Sequence, residues 1–209
     1  MLHVPVDALT DRHTRILDAA ERCFARAGIH RTTMQDVASE AGMSPGNLYR
    51  YFPSKDALAA GLAERDRAQL AADFGFLAEA DDFVSAFKAL GRKHFMEEPR
   101  ERSVLCLEIW AEATRNPNFA AMTHAFEREL VGRMSGLFAD AQRRGRLPGT
   151  LDPHAAAVMV STLANGLFVR RAVAPGFDAE REVAAVLTMI GAVLRGAVDL
   201  SPSVQPEKT

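Results

Sequence analysis

The sequence predicts an all-α fold of about nine helices, and three observations carry that expectation. Apolar residues recur with the helical period in nearly every segment, and no run alternates as a strand would. Ala is abundant while aromatics make up only 7%, which suits helices packed closely through small side chains. Gly and Pro fall between the periodic segments rather than within them. At 209 residues the chain has the length of one large domain or two small ones, and 48% hydrophobic content allows a sizeable core.

Helix 1 is expected over Asp11–Ala27, with Ile16, Ala20, Cys23 and Phe24 on one stripe and Gly28 ending it. Helix 2 begins after Thr33, whose hydroxyl caps it, with Asp36 placed for a capping box, and stops at Gly42. Ser44 caps helix 3, and Pro45 takes the first helical position, where a missing N–H costs nothing. Phe52-Pro53 closes it, and Ser54 caps a fourth helix running from Lys55 to about Asp73. Five further helices follow: Asp82–Met96, Arg100–Arg115, Pro117–Gly145, Pro153–Val173 and Asp178–Val198. The breaks fall at Pro99, Asn116-Pro117, Pro148-Gly149 and Pro175-Gly176, and the Pro-containing residues from Ser201 on read as a frayed tail. This layout divides the chain into residues 1–55, residues 56–200 with Lys55–Asp73 as connector, and a tail over 201–209.

Several classes are disfavoured at once. The longest uncharged run, Ala155–Val169, is shorter than the about 20 apolar residues a membrane crossing needs, so it reads as a buried helix. The N-terminus lacks the basic and apolar regions of a signal peptide, and Cys23 and Cys106 are too few for a disulfide framework, so the cytosol is the default compartment. Net charge is −2, but Arg12–Lys55 holds seven Lys/Arg against four Asp/Glu. The first quarter is thus mildly basic on an acidic body, a modest footprint for a DNA-facing element.

The stretch Thr33–Phe52 is where chemistry concentrates. Two short capped helices flank Ala41-Gly42-Met43-Ser44, and Val37, Ala38 and Ala41 would face Leu48 and Phe52, the pattern of a helix-turn-helix. A recognition helix must be narrow at its N-terminal end to enter the major groove, and here that end is Ser44-Pro45-Gly46-Asn47. Asn47 suits a base edge; Tyr49, Arg50 and Tyr51 suit phosphates or thymine methyls; Lys55 suits a further phosphate. A plain helical hairpin with a solvated face would share much of this pattern.

As a combined string, RTTMQDVASEAGMSPGNLYRYFPSKDAL (Arg31–Leu58), together with the preceding Ala27-Gly28-Ile29, resembles the N-terminal domain of the TetR (tetracycline repressor-like) family. The resemblance covers roughly residues 11–60. It implies an all-helical homodimer carrying two small DNA-binding domains on a larger ligand-binding and dimerising domain. It also implies that Thr33, Ser44–Arg50, Tyr51 and Lys55 face an operator, with Leu48 and Phe52 in the core. A small effector would enter the C-terminal domain and alter the spacing of the recognition helices.

Beyond residue 80 the reading rests on residues alone. Asp82–Met96 places Phe83, Phe87, Leu90 and His94 on one stripe, where His94 is either a satisfied interior histidine or a ligand partner. Val104–Ala111 is apolar nearly all round, so its helix should be central, with Glu108 paired to a cation or facing a polar cavity. A pocket between these helices would be lined by Phe87, His94, Cys106, Glu108, Trp110, Met122 and Phe126, with Asn165 or Phe168 contributing. The last two helices are rich in small residues (Ala155, Ala156, Ala157 and Gly166; Ala184, Ala185, Gly191 and Ala192) and are expected to form a two-fold, four-helix homodimer interface.

The reading that emerges is a DNA-binding regulator, most simply a repressor released by a small molecule, with no cofactor, metal or membrane partner. An enzyme would need a motif, and the sequence holds no His-Glu-x-x-His, Cys-x-x-Cys or Gly-x-Ser-x-Gly. An architectural DNA binder is countered by the small, polar tip of helix 3 and the weak positive charge.

Overall fold

The computed structural model of the protein describes residues 6–200. Within them nine α-helices and no strands are found: α1 (Val6–Ala27), α2 (Met34–Glu40), α3 (Pro45–Tyr49), α4 (Lys55–Glu79), α5 (Phe83–Arg92), α6 (Arg100–Ala113), α7 (Pro117–Arg143), α8 (Pro153–Val173) and α9 (Ala179–Leu194). The expected tail from Ser201 lies outside the described residues.

Four helices differ from expectation by four residues or more at one end. α1 starts earlier, at Val6. α4 continues to Glu79, because Gly75 in a helix interior costs only about 1 kcal/mol and long-range packing outweighs that. The predicted helix over 82–96 ends as α at Arg92 and closes in a π turn, Lys93–Glu97, before Pro99. Such a turn inserts one residue per ring and rotates the residues after it, which periodicity cannot reveal. α9 stops at Leu194, and Gly196 just beyond takes a positive φ of 68°.

The chain folds as two compact units, and neither is a single stretch of sequence. The first holds the residues up to Leu70 together with Pro99–Glu127 and Phe168–Ala174. The second holds Ala71–Glu98, Arg128–Leu167 and the residues from Pro175 onward. Helices α4, α7 and α8 each contribute to both.

In the first unit Ile16, Phe24, Val37, Leu48, Leu58 and Leu62 are almost fully buried in one cluster, which Leu105 of α6 and Phe119 of α7 complete. The expected facing of Val37, Ala38 and Ala41 toward Leu48 and Phe52 is met, since all five are buried in that cluster. Burying a Leu or Phe side chain contributes about 1.5–3 kcal/mol, so these contacts fix the short helices α2 and α3, which could not persist alone. α6 is less enclosed than its apolar run suggests: Ser103 and Leu105 are its buried residues, and Val104, Leu107, Ile109 and Trp110 are only half-buried.

In the second unit the core is aromatic at one end. Phe83, Phe87 and Phe138 meet at centroid distances of 5.5–6.1 Å. α5 also packs against α9, where Gly91 lets the Leu187 side chain approach within 2.7 Å of the position a Cβ would take. On α8, Ala156, Ala157, Val160 and Leu167 are buried, as expected of a core helix. By length and composition alone α8 is also apolar enough to cross a membrane.

Candidate nucleic-acid interface

The helix-turn-helix is built by capping at both of its starts. Thr33 is extended (φ −102°, ψ 161°), its hydroxyl oxygen accepts from Asp36 N at 3.2 Å, and its own N–H donates to Asp36 Oδ2 at 2.8 Å. This reciprocal pair is the capping box foreseen in the sequence. The Thr33 hydroxyl, which also donates to Asp36 Oδ2, and then the Thr33 amide hold that carboxyl below the usual carboxylate range. At the second start the Ser44 hydroxyl accepts from Asn47 N at 3.3 Å, and Pro45 is the first helical residue of α3. Between them Gly42 takes φ 67°, the left-handed turn that favours glycine.

α3 buries Leu48 completely and leaves Ser44, Pro45, Gly46, Tyr49 and Arg50 exposed, with Asn47 half-buried. Nothing lies within 4 Å of a Cβ built on Gly46, so the tip is open to a close approach. Tyr49, the large aromatic side chain of α3, is 52% exposed. The structure therefore brings Ser44, Pro45, Gly46, Asn47, Tyr49 and Arg50 together on one short helix, with Thr33 exposed at the start of its partner helix.

The remaining two candidate residues are engaged within the protein. Tyr51 is half-buried; its hydroxyl accepts from Arg12 Nη1 at 3.4 Å, and the His13 ring meets its edge at 5.8 Å. Lys55 donates to the carbonyls of Ile29 at 2.7 Å and His30 at 3.0 Å, tying the start of α4 to the corner between α1 and α2.

That corner is held from a third side by a residue expected elsewhere. Glu108 of α6 accepts from Ile29 N at 3.3 Å and lies over Gly28, where a Cβ would stand 2.8 Å from its Oε2. Sequence reasoning also missed the ion network that ties α1, α4 and α6. Arg65 pairs with Asp18 and Glu21, while Arg102 pairs with Asp66 at 2.8 Å and Glu21 at 3.6 Å. These partners lie 36–81 positions apart, so no local spacing could announce them. In contrast Arg22 and Arg26 both reach Glu40, whose carboxyl they hold below its usual range.

The expected pocket residues divide between the units. In the first, the Trp110 indole meets Phe168 edge-on at 6.3 Å, and the Arg67 guanidinium sits 5.7 Å from the Phe126 centroid. Met122 packs on the core cluster, and Cys106 is half-buried. In the second unit Phe87 lies inside the aromatic core, Asn165 is half-buried on α8, and His94 sits between two carboxylates. His94 Nδ1 is 3.0 Å from Glu98 Oε1, and Nε2 is 3.3 Å from the buried Asp73 Oδ2. No group of three or more His, Cys, Asp or Glu suited to a metal ion occurs among the described residues.

Two short capped helices, an open tip and a basic flank define a helix-turn-helix DNA-binding protein. Comparison with known proteins gives the family. Residues 16–62 match the family described as bacterial regulatory proteins, tetR family, and residues 89–195 match that described as BetI-type transcriptional repressor, C-terminal. The Escherichia coli transcriptional regulator UidR is 31% identical over 134 residues, covering 64% of this chain and 68% of UidR. An HTH-type transcriptional repressor of Mycobacterium tuberculosis is 27% identical across 91% of this chain and 96% of its own. Among solved structures, Salmonella enterica GusR superposes with a TM-score of 0.75 at 28% identity, over 88% of this chain and 96% of GusR. A complex of Stenotrophomonas maltophilia SmeT with triclosan gives 0.76 at 26% identity, over 95% and 99%. The chain belongs to the TetR family: it is a ligand-responsive, DNA-binding transcriptional regulator, from a family of regulators rather than enzymes.

Proposed function

We propose that the protein is a cytoplasmic repressor that binds a palindromic operator as a homodimer and is released by a small, largely apolar effector. The observation that carries the DNA half is α3, which presents Ser44, Pro45, Gly46, Asn47, Tyr49 and Arg50 outward while Leu48 anchors it in the core. Thr33, Tyr51 and Lys55 complete the operator-facing set, with Lys55 acting chiefly by fixing the α1–α2 corner. The homodimer is supported by exposed apolar residues on the last two helices: Val158, Met159, Val169 and Val173 on α8 and Met189 on α9. A two-fold dimer sets its recognition helices against half-sites about 34–36 Å apart, one turn of the duplex.

The effector side rests on Cys106, Trp110, Met122, Phe126 and Phe168, half-buried side chains of the first unit that offer aromatic and thioether surface. The structural neighbour SmeT, solved with triclosan, supports an effector with an apolar aromatic body. Trp110 is the single tryptophan, so its emission reports effector binding directly.

The deciding experiment incubates the protein with sheared genomic DNA at about 150 mM salt and sequences what is retained, since salt governs non-specific binding. A few sites sharing an inverted repeat are expected. Enrichment without sequence preference would overturn the reading in favour of an architectural binder.

A further inference from the structure

The basic side chains of the headpiece are unequal, and their partners sort them. Of the seven from Arg12 to Lys55, Arg50 is exposed at the end of α3 and already belongs to the operator-facing set, while Arg22 and Arg26 share Glu40, which offsets one of their two charges. Arg15 donates to the Ala41 carbonyl at 3.2 Å, Arg31 to the Ala27 carbonyl at 2.9 Å, and Lys55 to Ile29 and His30. The acids are committed as well: Asp36 to the Thr33 cap, Asp18 and Glu21 to Arg65. Arg12 forms an ion pair with none of these acids. Among the described residues its side-chain hydrogen bond goes to the Tyr51 hydroxyl, 39 residues away.

That contact is held in place rather than incidental. Tyr51 directly precedes Phe52, which is 5% exposed, and the His13 ring bridges them, 4.7 Å from Phe52 and 5.8 Å from Tyr51. The phenol is thereby fixed beside the guanidinium. A phenolic oxygen that accepts from arginine keeps its own O–H for donation, and a guanidinium with one N–H engaged retains four others. At 3.4 Å their mutual hydrogen bond is near the long limit, so the phenol O–H and the guanidinium N–H groups lose little by donating to a common acceptor from where they stand. A non-bridging phosphodiester oxygen suits that pair of donors, since charge-assisted bonds from Arg to phosphate are about twice as strong as neutral ones.

We propose that Arg12 and Tyr51 form a phosphodiester-binding fork through which α1 grips the operator backbone outside the segment read by α3. This deepens the operator-binding reading above and rests on it. Arg12 adds affinity and register but no base readout.

The test uses a duplex selected by the wild-type protein from a randomised pool, with affinity measured by fluorescence anisotropy across a salt series. Neutralising one phosphate contact lowers the slope of log K against log salt by about 0.9, so Arg12→Gln lowers it by about two in a dimer. Arg12→Lys retains the slope, and Tyr51→Phe weakens binding without altering it. Circular dichroism checks that each variant keeps its helices, which is expected because Arg12 is exposed. An unchanged slope in Arg12→Gln, with wild-type binding intact, overturns the fork alone. Failure of the wild-type protein to select any duplex overturns the operator reading and the fork together.

Discussion

At the scale of single residues, the corner between α1 and α2 is the most constrained point of the headpiece. Ile29 gives its N–H to Glu108 and its carbonyl to Lys55, and Gly28 turns the chain with φ 80°. Gly28→Ala forces a side chain into the left-handed region and against the Glu108 carboxylate, so a loss of about 1–3 kcal/mol is expected in urea unfolding. Glu108→Leu orphans the Ile29 N–H at a cost of about 1–3 kcal/mol, whereas Glu108→Gln keeps an acceptor and most of the stability. His94 supplies a pH-dependent contribution. Its hydrogen bond with Glu98 raises its pKa above 6.5, against the opposing effect of burial, and Asp73 adds to the rise. A raised folded pKa means stabilisation that is fully present below the unfolded value and disappears as pH climbs through the folded one. Thermal melts of wild type and His94→Gln should therefore differ most at mildly acidic pH and converge in alkali, with Lys93, 3.8 Å from Asp73, as the remaining cation. A gap that widens with pH would contradict the imidazolium bridge.

At the scale of elements, the helix-turn-helix is legible in the sequence because its determinants are local. Thr33 with Asp36, Ser44 with Pro45, and Gly42 each act within three residues of where they stand, so a sequence displays them directly. Thr33→Ala removes the cap of α2 at about 1 kcal/mol, and Leu48→Ala opens the core under α3 at about 2–5 kcal/mol. Both should weaken operator binding without changing its salt slope, because neither removes a charge; a slope that falls would show that the packing of α2 and α3 also holds charged phosphate contacts in place. The C-terminal helices are legible as helices but not in their roles. Gly75 suggests an end to α4 that packing overrides, and the π turn after Arg92 obeys no apolar period. Glu108 reads as an ion-pair or ligand group because its helix is apolar, yet its partner is a backbone N–H 79 residues earlier. Arg65, Arg102, Asp18, Glu21 and Asp66 form a network that depends on which helices adjoin, a property of tertiary packing that periodicity does not encode.

At the scale of the whole molecule, the protein's surface carries apolar area that a lone chain would leave in water. In the second unit Val158 is 44% exposed and Met189 50%, on helices whose other faces are already core. The small residues expected together at this interface separate in the fold: Ala156, Ala157 and Gly191 are buried, while Ala184 and Ala185 are exposed and Gly166 is exposed with them. An outward face of Ala, Gly and Val allows two helices to approach closely, and stable homodimers bury about 1,200–2,000 Å² or more in such contacts. Met189→Glu places a charge on that face without entering the core, so light scattering should report a shift from dimer toward the 22.8 kDa monomer with helicity retained. A dimer undisturbed by the charge would move the interface elsewhere. Operator affinity ought to fall with the dimer, since one headpiece alone contacts a single half-site. Effector release obeys the same coupling: whatever factor an effector takes from operator affinity, typically 5–150-fold or about 1–3 kcal/mol, the operator must take from effector affinity. Trp110 emission titrated with and without operator duplex measures that factor, and equal effector affinity in both would show that the site it reports does not govern DNA binding.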